Sequence, residues 1–127
     1  MNKRPHSVTV IGILFLAAGS IGLAYHATEL KTAGPFPYDA VWVCLVRLLA
    51  IIGSVFMLRG ANWARWLLVI WLAYHVILSG VHSAWELIVH GLLLAVIAWF
   101  LFRRPASVFF GAAKAEPAKA DHDSTAR

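Results

Sequence analysis

Four long apolar runs separated by short polar stretches organise this chain. They are Val8 to Tyr25, Ala40 to Leu58, Trp63 to Ser79 and Ala84 to Phe102, of 18, 19, 17 and 19 residues. A run of about 18 apolar residues can cross a bilayer as a helix. Helix is the expected form, because lipid cannot satisfy a free backbone N–H or C=O. The predicted fold class is therefore all-α, an integral membrane four-helix bundle. Residues 1–110 form the four-span domain and 111–127 a tail.

The residues between the runs predict how the helices begin and end. Asp39 is placed to N-cap the second span, Gly60 to close it in the left-handed conformation, and Asn62 to cap the third. "RGAN" then makes a tight turn that sets the second and third helices antiparallel and side by side. The first connection, "HATELKTAGPFPYD", is longer, and Pro35 and Pro37 keep its second half extended. "GAAKAEPAKADHDSTAR" has no apolar period and is expected to be disordered. Phe109 and Phe110, just before it, are expected to reach into the membrane interface.

Small residues mark close helix approach. The first span has Gly12, Gly19 and the pair Ala18 and Gly22. The second has Ala50, Ser54 and Gly53, and the fourth has Gly91 and Ala95.

Composition narrows the class further. The chain is 61% hydrophobic and 13% charged, against about 25% charged in soluble domains. Lys3 and Arg4 ahead of the first run resemble a signal peptide, but a secretory apolar region is usually about 7 to 15 residues. The first run is therefore expected to be a retained span. The lone Cys44 allows no intrachain disulfide and is expected to pack as a small hydrophobe.

Charge sets the orientation. Setting aside Arg47 within a span, nine basic residues (Lys3, Arg4, Arg59, Arg65, Arg103, Arg104, Lys114, Lys119 and Arg127) fall on one side, and only Lys31 on the other. Basic residues near span ends stay cytoplasmic, so both termini are expected there. Tyr25, Tyr38, Trp42 and Trp85 fall at outer span ends, and Trp63, Trp66 and Trp99 at inner ends, as aromatic belts do. The net charge of +5 follows from this bias. It points to the lipid surface and excludes nucleic acid, since no basic run with interleaved aromatics lies outside the span ends.

Ionisable groups inside a membrane are costly, which makes them functional candidates. At 1.5 Å per residue, Arg47 lies about 10 Å below the outer surface, His75 about 6 Å and His90 about 9 Å. Glu86 lies just above His90 in "HSAWELIVH", with His82 at the mouth. The candidate polar pocket is thus Arg47, His75, His82, Glu86 and His90, facing outward. Glu86, Arg47 and His75 also have structural explanations. "SAWE" is a capping box pairing Ser83 with Glu86. Arg47 can snorkel toward the headgroups, and His75 can bond across helices. As metal ligands, His75, His90 and Glu86 suit zinc, iron or copper, and two histidines at similar depth suit haem. "HExxH" is absent, which excludes that zinc protease class. The paired Glu-x-x-His motifs of di-iron bundles are absent too.

"RPHSVTVIGILFLAAGSIGL", with "NWARWLLVIWLAYHVILSGVHSAWELIVHGLLLAVIAWFLFRRPASVFF", resembles a group of small four-span bacterial inner-membrane proteins over roughly residues 4 to 110. In size and hydropathy the chain is also similar to DoxX-type four-span proteins. The resemblance implies a bacterial inner membrane and lends no catalytic residues. The expected function is an accessory or sensing component of a membrane system and not a stand-alone enzyme. The alternatives are a metal- or haem-binding redox protein and a proton-linked or small-solute pathway. No cofactor is expected outside the redox alternative. The expected partners are the bilayer and either a membrane protein or a second copy.

Overall fold

The computed structural model describes residues 3–32, 34 and 38–112. Four helices follow one another: α1 (His6–Thr32), α2 (Tyr38–Leu58), α3 (Asn62–His82) and α4 (Ala84–Phe102). A short helix, α5, covers 104–112, and there is no strand among the described residues. All of α1 to α4 are long and apolar enough to cross a membrane. The chain is a multi-pass helical membrane protein.

α1 runs seven residues past the end of its apolar run. Its 27 residues span about 40 Å, more than the roughly 30 Å of hydrocarbon. The apolar run marks where lipid ends, and the helix continues beyond it. In the last turns His26 pairs with Glu29 at 2.8 Å, and Thr28 donates to the Tyr25 carbonyl at 2.6 Å.

Small residues pack α1 against α2. Gly12, Phe15 and Gly19 are buried on one face of α1, and Val46, Ala50, Gly53, Ser54 and Met57 on α2. A Cβ at Gly19 would lie 2.9 Å from Ile51 Cγ1 and 3.3 Å from the Arg47 carbonyl oxygen. The backbones touch there because no side chain intervenes. Ser54 is fully buried and donates its hydroxyl to the Ala50 carbonyl at 2.6 Å, so no polar atom is stranded.

The turn from α2 to α3 is as the sequence predicts at Gly60, which has φ 89°. The Gly60 N–H donates to the Met57 carbonyl at 3.0 Å and the Ala61 N–H to the Phe56 carbonyl at 3.0 Å. That pair of bonds is the Schellman closure, which needs a left-handed residue and so favours glycine. Arg4 adds a third cap, donating from Nη1 to the Leu58 carbonyl at 2.9 Å. A cation at a helix C-terminus is favourable, and this bond holds the start of α1 to the end of α2.

Three local expectations are corrected. The N-cap of α3 is Ala61, not Asn62, and no side chain caps it. Ser83 is the N-cap of α4 but makes no side-chain cap bond, so the capping box does not form. Leu87 N–H donates to the Ser83 carbonyl instead, at 3.0 Å, starting the helix on backbone bonds alone. Gly91 and Ala95 do not pack: nothing lies within 4 Å of a Cβ at Gly91, and Ala95 is exposed. α4 is apolar all round and buries only Leu101, so its faces are left for lipid. The pair α1 and α2 is closely packed, α3 lies against both α2 and α4, and α1 against α4 is the loosest of the four neighbouring pairs.

α5 folds back on the end of the bundle that holds the α2–α3 turn. Ala106 and Phe110 are buried, so the apolar residues before the tail pack on protein. The expected disordered tail lies outside the described residues beyond Ala112.

Candidate functional site

Three of the five candidate side chains meet in one cleft. It has a volume of ≈ 370 Å³ and is lined from all four spans: Leu14, Phe15 and Ala18 on α1, Arg47 on α2, Trp71, Leu72 and His75 on α3, and His90, Leu93 and Ile97 on α4. That size falls among small-molecule sites, about 300–1,000 Å³. Its polar groups come from Arg47, His75 and His90, and the rest is aliphatic or aromatic.

α1 holds the Arg47 side chain in place by offering no side chain of its own at Gly22. A Cβ at Gly22 would lie 2.8 Å from Arg47 Nε and 3.0 Å from Cζ. The Arg47 side chain therefore lies against α1 at Gly22. Arg47 makes no hydrogen bond or ion pair among the described residues. An unpaired cation in an apolar setting is expensive and calls for a counter-charge.

The histidines are oriented by their own helices. His75 Nδ1 bonds the Trp71 carbonyl at 3.0 Å, and His90 Nδ1 bonds the Glu86 carbonyl at 2.8 Å. A carbonyl only accepts, so each Nδ1 carries the proton. Ser79 donates its one hydroxyl hydrogen to the His75 carbonyl at 2.8 Å. Its oxygen then accepts from His90 Nδ1 at 3.0 Å, whose single hydrogen is shared with the Glu86 carbonyl. This network ties α3 to α4 and leaves Nε2 of both rings without a hydrogen bond among the described residues. The two rings lie 6.3 Å apart, inclined by 30°. His75 also stacks on Trp71 at 3.9 Å, and Trp71 is fixed by donating Nε1–H to the Val46 carbonyl at 2.7 Å.

Glu86 and His82 are not part of this cleft. Both are exposed; Glu86 contributes only its backbone carbonyl, and His82 Nδ1 bonds the Leu78 carbonyl at 3.0 Å. No group of three or more His, Cys, Asp and Glu side chains comes together for a metal among the described residues.

His26 has a place that its loop assignment did not predict. The extension of α1 brings it to a second groove of ≈ 190 Å³, with Trp42, Tyr74, Arg47 and His75 among its lining. Arg47 and His75 thus line both that groove and the main cleft. Trp42 Nε1–H donates to the Tyr74 hydroxyl at 2.9 Å, bracing the groove. Arg65, a basic flank by sequence, is a second polar centre at the end of the bundle that α5 covers. Its Nη1 donates at 3.4 Å to both the Leu101 carbonyl and Ser107 Oγ. Its Cζ sits 4.7 Å from the Phe102 ring centre and 5.2 Å from that of Phe110.

The chain matches no family model, no curated protein and no solved structure.

Proposed function

We propose that this chain is a small component of a bacterial inner membrane, with both termini cytoplasmic, that holds a ligand in its outward-facing cleft. It acts as an accessory or sensing part of a membrane system and not as a stand-alone enzyme. One observation carries the reading. Arg47 heads an otherwise apolar cleft with no counter-charge among the described residues, beside two imidazoles whose Nε2 atoms are unengaged. Membrane helices seldom tolerate such a cation without a role or a partner. The basic asymmetry between the two sides supports the orientation.

The metal or haem reading draws on the same two rings. His75 and His90 supply two imidazole ligands, and no third ligand joins them among the described residues. A positive guanidinium beside them opposes a bound cation.

Occupancy of the cleft is the test. Ala18 is exposed at its rim, so Ala18→Trp fills the cleft without disturbing the core. Solvent extraction of the purified chain should recover about one small molecule per protein, and much less from Ala18→Trp. Equal recovery from both proteins, or none from either, would sink the reading.

A further inference from the structure

We propose that the occupant of the cleft is a single-chain amphiphile with a carboxylate headgroup, which enters sideways from the bilayer between α1 and α4. This rests on the cleft being a ligand site, as argued above. Three features of the cleft point to that chemistry.

The first is charge. Arg47 is the one cation on the cleft, and no acidic side chain lines it. A guanidinium presents a planar fork that matches a carboxylate with two parallel bonds. One positive charge balances one carboxylate. A phosphate monoester carries about −1.5 to −2 at pH 7, which Arg47 alone does not neutralise.

The second is the donor geometry. With Nδ1 held on helix carbonyls, His75 and His90 each offer Nε2. A neutral ring accepts the hydrogen of a carboxylic acid there, and a protonated ring donates to the carboxylate. The two rings therefore serve the headgroup in either form as it arrives from lipid.

The third is the route. Below the polar groups the cleft is bounded by Phe15, Leu72 and Ile97, with Leu14 and Leu93 at its edge. Leu14 is 60% and Leu93 45% exposed, on α1 and α4, the most loosely packed of the four neighbouring helix pairs. Both residues lie within spans, so the opening faces acyl chains and not water. A ligand taken from water needs no apolar doorway, whereas a lipid-borne acid needs both the doorway and the half-buried cation.

The test is native mass spectrometry of the full chain in a polyoxyethylene detergent. The probes are dodecanoate, methyl dodecanoate, dodecyl phosphate, acetate and inorganic phosphate. Dodecanoate should give a single saturable adduct, at least about tenfold tighter than methyl dodecanoate, the scale of a charge-assisted bond. Arg47→Gln should erase that preference, Arg47→Lys should restore part of it, and Ala18→Trp should remove the adduct. Thermal melting of each variant checks that the bundle is intact. If Arg47→Gln does not fold, the ester-to-acid ratio on the wild-type chain still decides. Equal binding of ester and acid would overturn the carboxylate assignment while leaving the cleft a ligand site. Tighter binding of dodecyl phosphate would overturn the headgroup. Acetate or inorganic phosphate binding as well as dodecanoate would overturn the lipid route. Absence of every adduct, together with no molecule retained on purification, would overturn the cleft reading as well.

Discussion

Gly19→Leu is expected to cost about 3 kcal/mol or more and to leave little folded bundle in detergent, the upper end of the range for overpacked cores. The reason is what the new side chain meets. Ile51 Cγ1 lies 2.9 Å from a Cβ at position 19, and behind it stand two backbone atoms of α2, the Arg47 carbonyl oxygen at 3.3 Å and the Ile51 nitrogen at 3.5 Å. A side chain can turn away, but a helical backbone cannot, so α1 must move as a unit. Membrane helices have little hydrophobic drive to stay together once their close packing is lost. Gly12→Ala should be milder, because a Cβ there meets only the Leu58 side chain. Gly91→Leu is the control. With nothing within 4 Å of its Cβ, it should lie within about 0.5 kcal/mol of wild type. Unfolding in a denaturing detergent titration ranks the three, and a Gly19→Leu protein as stable as Gly91→Leu would refute the α1–α2 contact.

Phe110→Ala is expected to cost about 3 kcal/mol and to release α5 from the bundle. Phe110 is the largest fully buried side chain, 1% exposed, and truncating a buried phenylalanine costs about 3–5 kcal/mol. The lower end applies because lipid competes for the freed ring. The loss extends to Arg65, whose guanidinium faces the Phe110 ring and has its Nε buried without a partner among the described residues. Arg103 and Arg104 sit on the joint between α4 and α5 and become a trypsin site once α5 is free. Cleavage after Arg103 should rise sharply in the Phe110→Ala protein, and only in inverted vesicles, where cytoplasmic faces are outward. Cleavage in right-side-out vesicles would reverse the proposed orientation. Unchanged protection would show that α5 is held by something other than Phe110.

The spans were legible because a bilayer imposes one simple demand, an apolar run of sufficient length, and the four runs meet it. Helix ends were less legible. Gly60 could be read because only glycine takes φ 89° without strain. The ends of α1 and the caps of α3 and α4 could not, since water and backbone bonds replace side-chain caps at no sequence-visible cost. Hence α1 runs on to Thr32, and Ser83 caps nothing with its hydroxyl. Depth counted along the runs put Arg47, His75 and His90 at one level, and the structure has all three on one cleft. Depth says nothing of rotation about the helix axis, which is why Glu86 and His82 were grouped with them and lie outside. Gly22 was read as a helix-packing residue. Its bare surface takes the Arg47 side chain instead, a use that spacing alone does not distinguish. Arg65 was hidden by its position, because a charge at a span end reads as a flank and here also clamps α5.

The central claim is that Arg47, His75 and His90 form one site with both rings held through Nδ1. Selective 15N labelling of histidine in the full chain, reconstituted in a neutral bilayer, tests it most directly. Signals are assigned by His75→Gln and His90→Gln. The account predicts that both rings carry the proton on Nδ1, because each bonds a helix carbonyl. It also predicts that the Nε2 signals of both rings shift when Arg47→Gln removes the neighbouring charge. Rings protonated on Nε2 alone, with neither responding to the loss of Arg47, would contradict it.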